Sequence, residues 1–279
     1  MISTPDGSNR PVLLLGGTGR LGRMLCRFWP APADLRVQSR GAGGDLRFDP
    51  LADGDALQAA AQDVRAVVCL AGVTDAHAAQ TGDAMALNSA LALAAIEAAP
   101  PDTRVLLASS AAVYGALPGV LAEDGPTAPR SDYGRAKLAM ETAALATGHP
   151  VTALRIGNVA GADAILGGWR AGMQLDRFAD GRTPARSYIG PRTLARAVHA
   201  LTCAEAPPAV INIAAPGSVE MGALLDAAGL AWQPRAAPDT AIASVTLATD
   251  RLAQHLSFAP EDGTAAGLVA EWHAMRQTP

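Results

Sequence analysis

A glycine-rich turn between a short apolar run and a helical pattern constrains the fold of this chain more than any other feature. The apolar run from Pro11 to Leu15 leads into glycines at positions 16, 19 and 22, after which apolar residues recur at helical spacing. This order predicts a strand, a tight turn and a helix. Glycine in such a turn lets the backbone approach a pyrophosphate, whose charge is met by the N–H groups at the start of the helix. The alternative is a tight strand-to-helix turn without a ligand.

The same alternation of apolar runs and helical segments continues to about residue 157. Further strands are predicted at 35–39, 45–48, 66–70, 104–108 and 151–155, and helices near 56–61, 84–99 and 133–146. Such an alternation predicts a doubly wound α/β fold, in which a parallel sheet is covered on both faces. Beyond residue 158 the pattern loosens, with strands predicted at 210–213 and 242–246. We expect a dinucleotide-binding domain over residues 10–157 and a smaller, substrate-facing lobe over residues 158–279, packed directly on it.

Composition and charge exclude several classes of protein. The 279 residues carry a formal net charge of −4 without basic runs, which argues against a nucleic-acid partner. We expect no membrane span, since no run of about 18 uncharged apolar residues occurs, and no export, since the first ten residues are polar and lack the plan of a signal peptide. Cys26, Cys69 and Cys203 are too far apart to suggest a disulfide framework or a zinc site, and the five histidines lack metal spacing. These features predict a cytoplasmic protein with reduced cysteines and no metal.

The end of the second predicted strand bears on the choice of cofactor. A chain that prefers NAD usually has an acidic residue here, which receives the ribose 2′-hydroxyl, whereas this chain has Ser39 and Arg40. A guanidinium can form paired hydrogen bonds with a 2′-phosphate, so the sequence favours NADP(H), with NAD(H) possible; the alternative is a solvated arginine before a glycine-rich loop. Asp49 is either an acceptor for the adenine amino group or an ordinary turn residue before Pro50.

A second constellation joins a tyrosine to the only lysine in a chain with 21 arginines. Tyr133 and Lys137 are four residues apart on a predicted helix and therefore share one face. A nearby ammonium stabilises a phenolate, which lowers the pKa of the phenol and lets it exchange a proton with a substrate near neutral pH. Ser110, at the end of a predicted strand, could hold the same substrate oxygen. The alternative is an exposed helix with an accidental pair.

Taken in order, these motifs resemble the extended short-chain dehydrogenase/reductases of the NAD-dependent epimerase/dehydratase family. The resemblance rests on the turn 16–22, Leu70-Ala71-Gly72, Asn88, the segments 109–115 and 154–161, and Tyr133-x-x-x-Lys137. It implies a Rossmann-type domain, a bound nicotinamide cofactor and a Ser-Tyr-Lys catalytic set. In that set Ser110 polarises the reacting oxygen and Tyr133 is the general acid/base. Lys137 contacts the nicotinamide ribose and lowers the pKa of the tyrosine.

The resemblance also assigns contacts to the cofactor and the substrate. Beside Arg40 and Asp49, the implied cofactor contacts are Gly16, Thr18, Gly19, Arg20, Leu21, Gly22, Ala71, Gly72, Asn88, Tyr133, Lys137 and Val159. The implied substrate contacts are Ser110, Ala111, Asn158 and Arg186. Arg186 lies in a stretch similar to the one in which the family's arginine often meets a substrate phosphate.

The lobe departs from the family's pattern. In the stretch around Arg186 the family's Val and Asp are replaced by Pro191 and Thr193, and Leu15 stands where a Thr commonly precedes the first glycine. Only 27 residues (159 to 185) separate Asn158 from Arg186, fewer than in family members that enclose a nucleotide-sugar. This argues against a nucleotide-diphosphate substrate. Arginines at 170, 177, 182 and 186 could serve a smaller anion or form a solvated basic rim.

Two function classes follow. The first is an NAD(P)-dependent oxidoreductase, epimerase or dehydratase that acts on a hydroxyl or carbonyl carbon of a sugar-like or small polar substrate. The second is a non-catalytic NADP(H)-binding sensor or assembly factor, whose expected mark is loss of the Tyr or Lys that this chain keeps. The Ala-rich helices near 84–99 and 133–146 resemble the family's dimer surface, which implies a homodimer; the alternative is packing within one subunit.

Overall fold

The computed structural model describes residues 10–81 and 84–277. The prediction that no signal peptide is present concerns residues 1–10, of which 1–9 lie outside the described residues. The strands are β1 (Val12–Leu15), β2 (Leu35–Ser39), β3 (Leu46–Arg47), β4 (Ala66–Cys69), β5 (Arg104–Ser110), β6 (Val120–Leu121), β7 (Val151–Ile156), β8 (Asn158–Val159), β9 (Gln174–Arg177), β10 (Ala185–Arg186), β11 (Tyr188–Ile189), β12 (Val210–Ile213), β13 (Val219–Glu220), β14 (Gln233–Ala236) and β15 (Ser244–Leu247). The helices are α1 (Arg20–Phe28), α2 (Gly54–Ala61), α3 (Asp75–Thr81), α4 (Leu87–Ala98), α5 (Asp132–Leu145), α6 (Pro191–Cys203), α7 (Met221–Ala227), α8 (Asp250–Ala253) and α9 (Ala265–Arg276).

Seven strands form one main sheet. Its order is β12-β7-β5-β4-β1-β2-β3, and every neighbouring pair is parallel. The order reverses at β1, with β2 and β3 added on one side and β4, β5, β7 and β12 on the other. In such sheets ligands bind outside the carboxyl ends of the strands, at the point of reversal. The predicted doubly wound, Rossmann-type fold is thereby confirmed.

Both faces of the sheet are buried at its central strands β1 and β4, which explains their continuous apolar runs. Along β1, Val12 and Leu14 face the core that α1 and α6 cover, whereas Leu13 and Leu15 face the core that α2, α4 and α5 cover. Burial of each such leucine contributes about 1.5–3 kcal/mol. The two helix layers therefore hold the carboxyl ends of β1, β4 and β5 side by side.

A smaller body packs beside the main sheet. It contains the four-stranded sheet β13-β10-β15-β6 and the pairs β8–β11 and β9–β14. Its core is built around Tyr188, Leu224, Leu225 and Trp272. The division between residues 157 and 158 stays a prediction. Two strands lie on the other side of that division, because β6, before residue 158, joins the four-stranded sheet and β12, after it, joins the main sheet.

Within residues 10–81 and 84–277, no helix is long and apolar enough to span a bilayer. In the same part of the chain, no group of three or more His, Cys, Asp or Glu side chains is arranged to hold a metal ion. The three cysteines are free thiols, of which Cys69 is buried and Cys203 is exposed.

Candidate active site

The glycine turn lies at the carboxyl end of β1, against the end of β4. Gly16 has a φ of +84°, a conformation that favours glycine, and a Cβ on it would lie 2.9 Å from the backbone nitrogen of Ala71. A Cβ on Gly22 would lie 2.4 Å from the carbonyl oxygen of Gly16. Because glycine has no side chain, these two positions let helix α1 start directly against the turn.

The start of α1 has the features of a helix end that can bind an anion. Its N-cap is Gly19, no side chain caps it, and its first turn contains no acidic residue. Backbone N–H groups and the positive end of the helix dipole at such a start favour a bound phosphate. A turn that lets the backbone approach closely, followed by an uncapped helix end, fits the pyrophosphate of a dinucleotide.

The residues of this turn and of the start of α1 have different neighbours. The Leu21 side chain packs into the core between α1 and the main sheet. The Arg23 side chain donates a hydrogen bond to the backbone carbonyl of Thr18 at 2.5 Å. Arg20 reaches across to the segment that follows β8, where its Nη1 donates to the carbonyl of Ala162 at 2.8 Å. Arg20 therefore links the start of α1 to the segment that contains Asn158 and Val159.

Gln38 supports the glycine turn, and the sequence reasoning missed it. Its side chain is buried in β2; its Oε1 accepts from the N–H of Gly16 at 3.0 Å, and its Nε2 donates to the carbonyl of Phe48 at 2.5 Å. The available signal was an amide residue near the carboxyl end of a predicted strand of the parallel sheet, because an amide buried there needs polar partners.

Arg40 and Asp49 lie together at the end of β2. Their side chains form an ion pair, Nη1 to Oδ2, at 4.0 Å, and 71% of the Arg40 side chain is exposed. The other oxygen of Asp49 accepts from the N–H of Leu51 at 2.9 Å, which is the hydrogen bond of a turn residue. The adenine contact of Asp49 and the phosphate contact of Arg40 stay predictions.

Asn88 fixes the loop after β4, which carries Ala71 and Gly72. The Asn88 amide group donates to the carbonyls of Val73 and Met85, both at 3.0 Å, and accepts from the N–H of Val73 at 3.2 Å. A Cβ on Gly72 would lie 2.6 Å from the Asn88 side-chain oxygen and 3.2 Å from Lys137 Nζ. Gly72 is therefore the point where the loop of β4 touches helix α5.

Tyr133 and Lys137 lie on the first turns of α5, next to the end of β5. Lys137 Nζ is 5.7 Å from the centre of the Tyr133 ring and donates to the carbonyl of Ala108 at 2.7 Å. Ser110 ends β5, and its Oγ accepts from the N–H of Ala112 at 3.2 Å. A Cβ on Gly134 would lie 2.6 Å from the Ala112 carbonyl oxygen, so α5 packs tightly against the short 3-10 turn Ala111–Tyr114 that follows Ser110.

The surroundings of Lys137 are nearly dry. Only 4% of the residue is exposed, and this burial lowers the pKa of its amine to about 8, against the opposing effects of Cys69 and Glu141. Burial raises the pKa of the neighbouring Cys69 thiol to about 11, so that thiol is neutral at physiological pH. The Lys137 amine therefore carries its charge below about pH 8 and loses it above.

A buried ion pair that the sequence reasoning did not identify lies one helical turn beyond Lys137. Arg155 on β7 donates to the Glu141 carboxylate from Nη2 at 2.8 Å and from Nε at 3.1 and 3.2 Å. The Ser109 hydroxyl donates to the same carboxylate, and Arg155 Nη1 donates to the Tyr114 hydroxyl at 2.9 Å. The four residues join α5, β5, β7 and the 3-10 turn behind the Tyr-Lys pair.

Asn158 and Val159 form β8, which pairs with Tyr188 and Ile189 of β11. Val159 is buried. The Asn158 side chain lies beside the Tyr188 hydroxyl, which donates to Asp163 at 3.2 Å. Asp163 in turn accepts the N–H groups of the loop after β8 (Gly161, Ile165, Leu166 and Gly167). Asp163 therefore ties the loop after β8 to Tyr188 of β11.

Arg186 lies in β10, in the smaller body. It is half-buried, and its Nη1 donates to the carbonyls of Ala185 and Ile242 at 2.7 and 3.1 Å. Arg170 lines a separate cavity of about 370 Å³ together with Arg235, whereas Arg182 pairs with Asp180 at 2.7 Å. The arginines that the sequence grouped as a basic rim thus have different surroundings.

The structure places several of the predicted residues beside one another at the carboxyl ends of β1, β4 and β5. Gly16 contacts Ala71, Gly72 contacts Lys137, and Lys137 lies beside Tyr133 and the end of β5. Arg40 and Asp49 flank the same carboxyl edge at β2 and β3. Arg186 belongs to a different sheet, and no hydrogen bond or ion pair among the described residues joins it to Tyr133 or Lys137.

Comparison with known proteins identifies relatives of this architecture. The profile of the NAD dependent epimerase/dehydratase family matches residues 12–214, which is 203 of the 279 residues. None of the curated protein sequences compared with the chain matches it.

Solved structures with a similar fold cover nearly the whole chain. The UDP-glucose-4-epimerase from Stenotrophomonas maltophila with bound NAD and formylated UDP-arabinopyranose superposes with a TM-score of 0.75 at 18% identity, over 96% of this chain and 99% of that one. The NAD-dependent NDP-hexosamine 5,6-dehydratase TunA, involved in tunicamycin biosynthesis, gives a TM-score of 0.74 at 20% identity over the same shares. The Thermus thermophilus UDP-glucose 4-epimerase in complex with NAD gives 0.71 at 19%, over 96% and 100%. At these identities the likeness is one of fold.

Proposed function

Since the chain belongs to the NAD dependent epimerase/dehydratase family, we propose that it is an NAD(P)-dependent enzyme of the oxidoreductase or epimerase type, with Ser110, Tyr133 and Lys137 as its catalytic set. Its substrate is a sugar-like or small polar molecule that reacts at a hydroxyl or carbonyl carbon. The observation that carries the proposal is the position of Lys137, whose amine lies against Gly72 after the end of β4 and 5.7 Å from the Tyr133 ring centre.

The crevice at the ends of β1 and β4 would hold the cofactor. The turn from Gly16 to Gly22 and the start of α1 would bind its pyrophosphate, and the loop of Ala71 and Gly72 would line its adenosine side. When bound, the nicotinamide accepts a hydride from the substrate carbon or donates one to it. Arg40 would bind a 2′-phosphate, since its side chain is largely exposed at the end of β2 and contacts Asp49 only at 4.0 Å; we therefore propose a preference for NADP(H).

Tyr133 moves the proton that accompanies the hydride. As a substrate alcohol loses its hydride, the O–H proton passes to the Tyr133 phenolate; in reduction the Tyr133 hydroxyl returns a proton to the carbonyl oxygen. Ser110 donates a hydrogen bond to that oxygen, and the charge of Lys137 favours the phenolate. An ammonium has three donors, and the bond to Ala108 uses one of them. Asn158, which pairs with Tyr188 through β8 and β11, lies at the start of the segment that would face the substrate.

The substrate class follows from the lobe. The related structures include complexes with UDP-linked sugars, which supports a sugar-like substrate. The short segment between Asn158 and Arg186 favours a molecule smaller than a nucleotide-sugar, with Arg186 as a contact for an anionic group.

The test is turnover of NADPH and NADH with a panel of nucleotide 4-keto-sugars, free keto-sugars and small carbonyl compounds. Tyr133→Phe should lower kcat by about 10²- to 10⁴-fold, because it removes the proton donor, while the Kd for NADPH, followed by its fluorescence, stays within twofold of the wild-type value. Equal turnover by the variant would refute the catalytic set. Cofactor binding without turnover, in a panel that also includes epimerisation assays, would favour the non-catalytic binder.

A further inference from the structure

A network of buried charges lies behind Tyr133 and Lys137. Lys137 and Glu141 are one helical turn apart on α5, and Arg155 approaches Glu141 from β7. All three residues are at most 5% exposed. Ions in such surroundings are costly unless paired and hydrogen-bonded, so the number and sign of the charges here are tightly constrained.

The groups around Lys137 leave one source of negative charge. On the side of β5, the Lys137 amine donates a hydrogen bond to the carbonyl of Ala108, which carries no charge. From β4, it faces Cys69, whose thiol keeps its proton because burial raises its pKa to about 11. From its own helix, it faces Tyr133 and Glu141. Among the described groups facing Lys137, Glu141 supplies the carboxylate.

The Glu141 carboxylate is held in place by bonds from two other elements. The Ser109 hydroxyl and three contacts from Arg155 fix it. Arg155 is fixed in its turn by the Tyr114 hydroxyl at 2.9 Å and the Glu123 carbonyl at 3.1 Å. The negative member of this ion pair therefore lies on the helix of Lys137, and the positive member is also bonded to Tyr114 and Glu123.

We propose that Glu141, held by Arg155 and Ser109, is a positioning residue that keeps Lys137 in its ammonium form beside Tyr133. The proposal rests on the proposed function, because it gives the charge of Lys137 a catalytic use. A buried ion pair is by itself a weak source of stability. Glu141, however, lies one helical turn from the only lysine of the chain. There its negative charge favours the protonated amine and opposes the effect of burial.

The single lysine makes a direct test possible. In untagged protein labelled with carbon-13 lysine, the side-chain Cε signal reports the titration of Lys137 alone. We expect a wild-type midpoint near the pKa of about 8. In Glu141→Gln the midpoint should fall by about 1 pH unit, because loss of a nearby opposite charge disfavours the charged amine. In Glu141→Asp it should stay close to the wild-type value.

Two further variants guard this experiment. Glu97→Gln removes an exposed carboxylate from α4 and should leave the midpoint unchanged. If Glu141→Gln fails to fold because Arg155 is left unpaired, the double variant Glu141→Gln/Arg155→Met removes both charges; such replacements are often neutral for stability, and its midpoint should also fall.

The pH profile of kcat/KM distinguishes this role of Glu141 from a purely structural one, which would not shift the profile along the pH axis. The alkaline limb of kcat/KM should shift downward with the Lys137 midpoint in Glu141→Gln, rather than kcat/KM falling equally at every pH. A wild-type midpoint below pH 7, or the same midpoint with and without Glu141, would overturn the proposal. Absence of Tyr133-dependent turnover would instead overturn the proposed function, while the titration of Lys137 would stand as measured.

Discussion

Arg40 is the residue on which the choice between NADP(H) and NAD(H) depends. Its guanidinium is exposed, and its ion pair with Asp49 is 4.0 Å long, so a 2′-phosphate would compete with one weakly held carboxylate. We expect Arg40→Gln to lower the ratio of kcat/KM for NADPH over NADH by about ten- to a hundredfold. This follows from the roughly 1.5–3 kcal/mol of a hydrogen bond to a charged group, at about 1.4 kcal/mol per tenfold change.

The control for this prediction lies on the same strand. Arg36 is exposed on β2 but is further from its carboxyl end, and Arg36→Gln should leave the ratio unchanged. Dissociation constants for the two cofactors, measured by fluorescence, would separate binding from turnover. An unchanged ratio in Arg40→Gln would indicate that Arg40 is the solvated arginine of the alternative interpretation.

At the scale of elements, the contact between β1 and α1 decides whether the crevice forms. A Cβ on Gly22 would lie 2.4 Å from the carbonyl oxygen of Gly16 and 2.5 Å from that of Gly17, both of them backbone atoms. Gly22→Ala should therefore push α1 away from the turn and lower the free energy of unfolding by about 1–3 kcal/mol, as overpacking does. Cofactor affinity should fall with it, because the displaced helix start no longer faces the turn.

A second helical glycine provides the matched control. Gly54 begins α2, and a Cβ there would have no atom within 4 Å. Gly54→Ala should keep cofactor affinity and raise stability by about 0.4–1 kcal/mol, through the lower entropy of the unfolded chain. Urea unfolding and cofactor titration of both variants test the pair; similar effects from both would contradict the packing argument.

For the whole molecule, the relevant feature is the exposed apolar surface of α4 and α5. The two helices pack against each other, Leu93 and Leu145 on them are more than a third exposed, and an apolar groove along α5 is lined by Leu138, Ala139 and Ala143. Together with the resemblance of these helices to a dimer surface, this supports the proposal of a homodimer. We expect Leu145→Glu to raise the dimer dissociation constant at least about tenfold, because it would bury an unpaired charge.

Sedimentation equilibrium tests that prediction. Leu51→Glu is the control, because Leu51 is also exposed (45%) but lies outside both helices. A wild-type protein that sediments as a monomer would show that α4 and α5 face solvent. In that case the Ala-rich composition of the two helices serves only their packing on each other and on the main sheet.

Local patterns along the chain were enough to predict the sheet, the glycine turn and the Tyr-Lys pair. Strands buried on both faces are continuous apolar runs, a tight turn needs glycine at particular positions, and residues four apart share a helix face. The observed bounds of β2 and β12 coincide with the predicted ones, and those of β1, β4, β5 and β7 differ from them by at most two residues at either end. The family match over residues 12–214 confirms the resemblance that those motifs carried.

Only the tertiary structure decided which distant residues meet. Gln38 reaches Gly16 across two strands, Arg155 reaches Glu141 from β7 to α5, and Arg20 reaches Ala162 over 142 residues. These contacts depend on the order of strands in the sheet and on which face each helix covers, and no periodic pattern in the sequence reports either. The sequence around a polar residue does not show whether it has a partner in the folded protein. Burial and pairing are set only when the helices pack on the sheet and bring distant residues together.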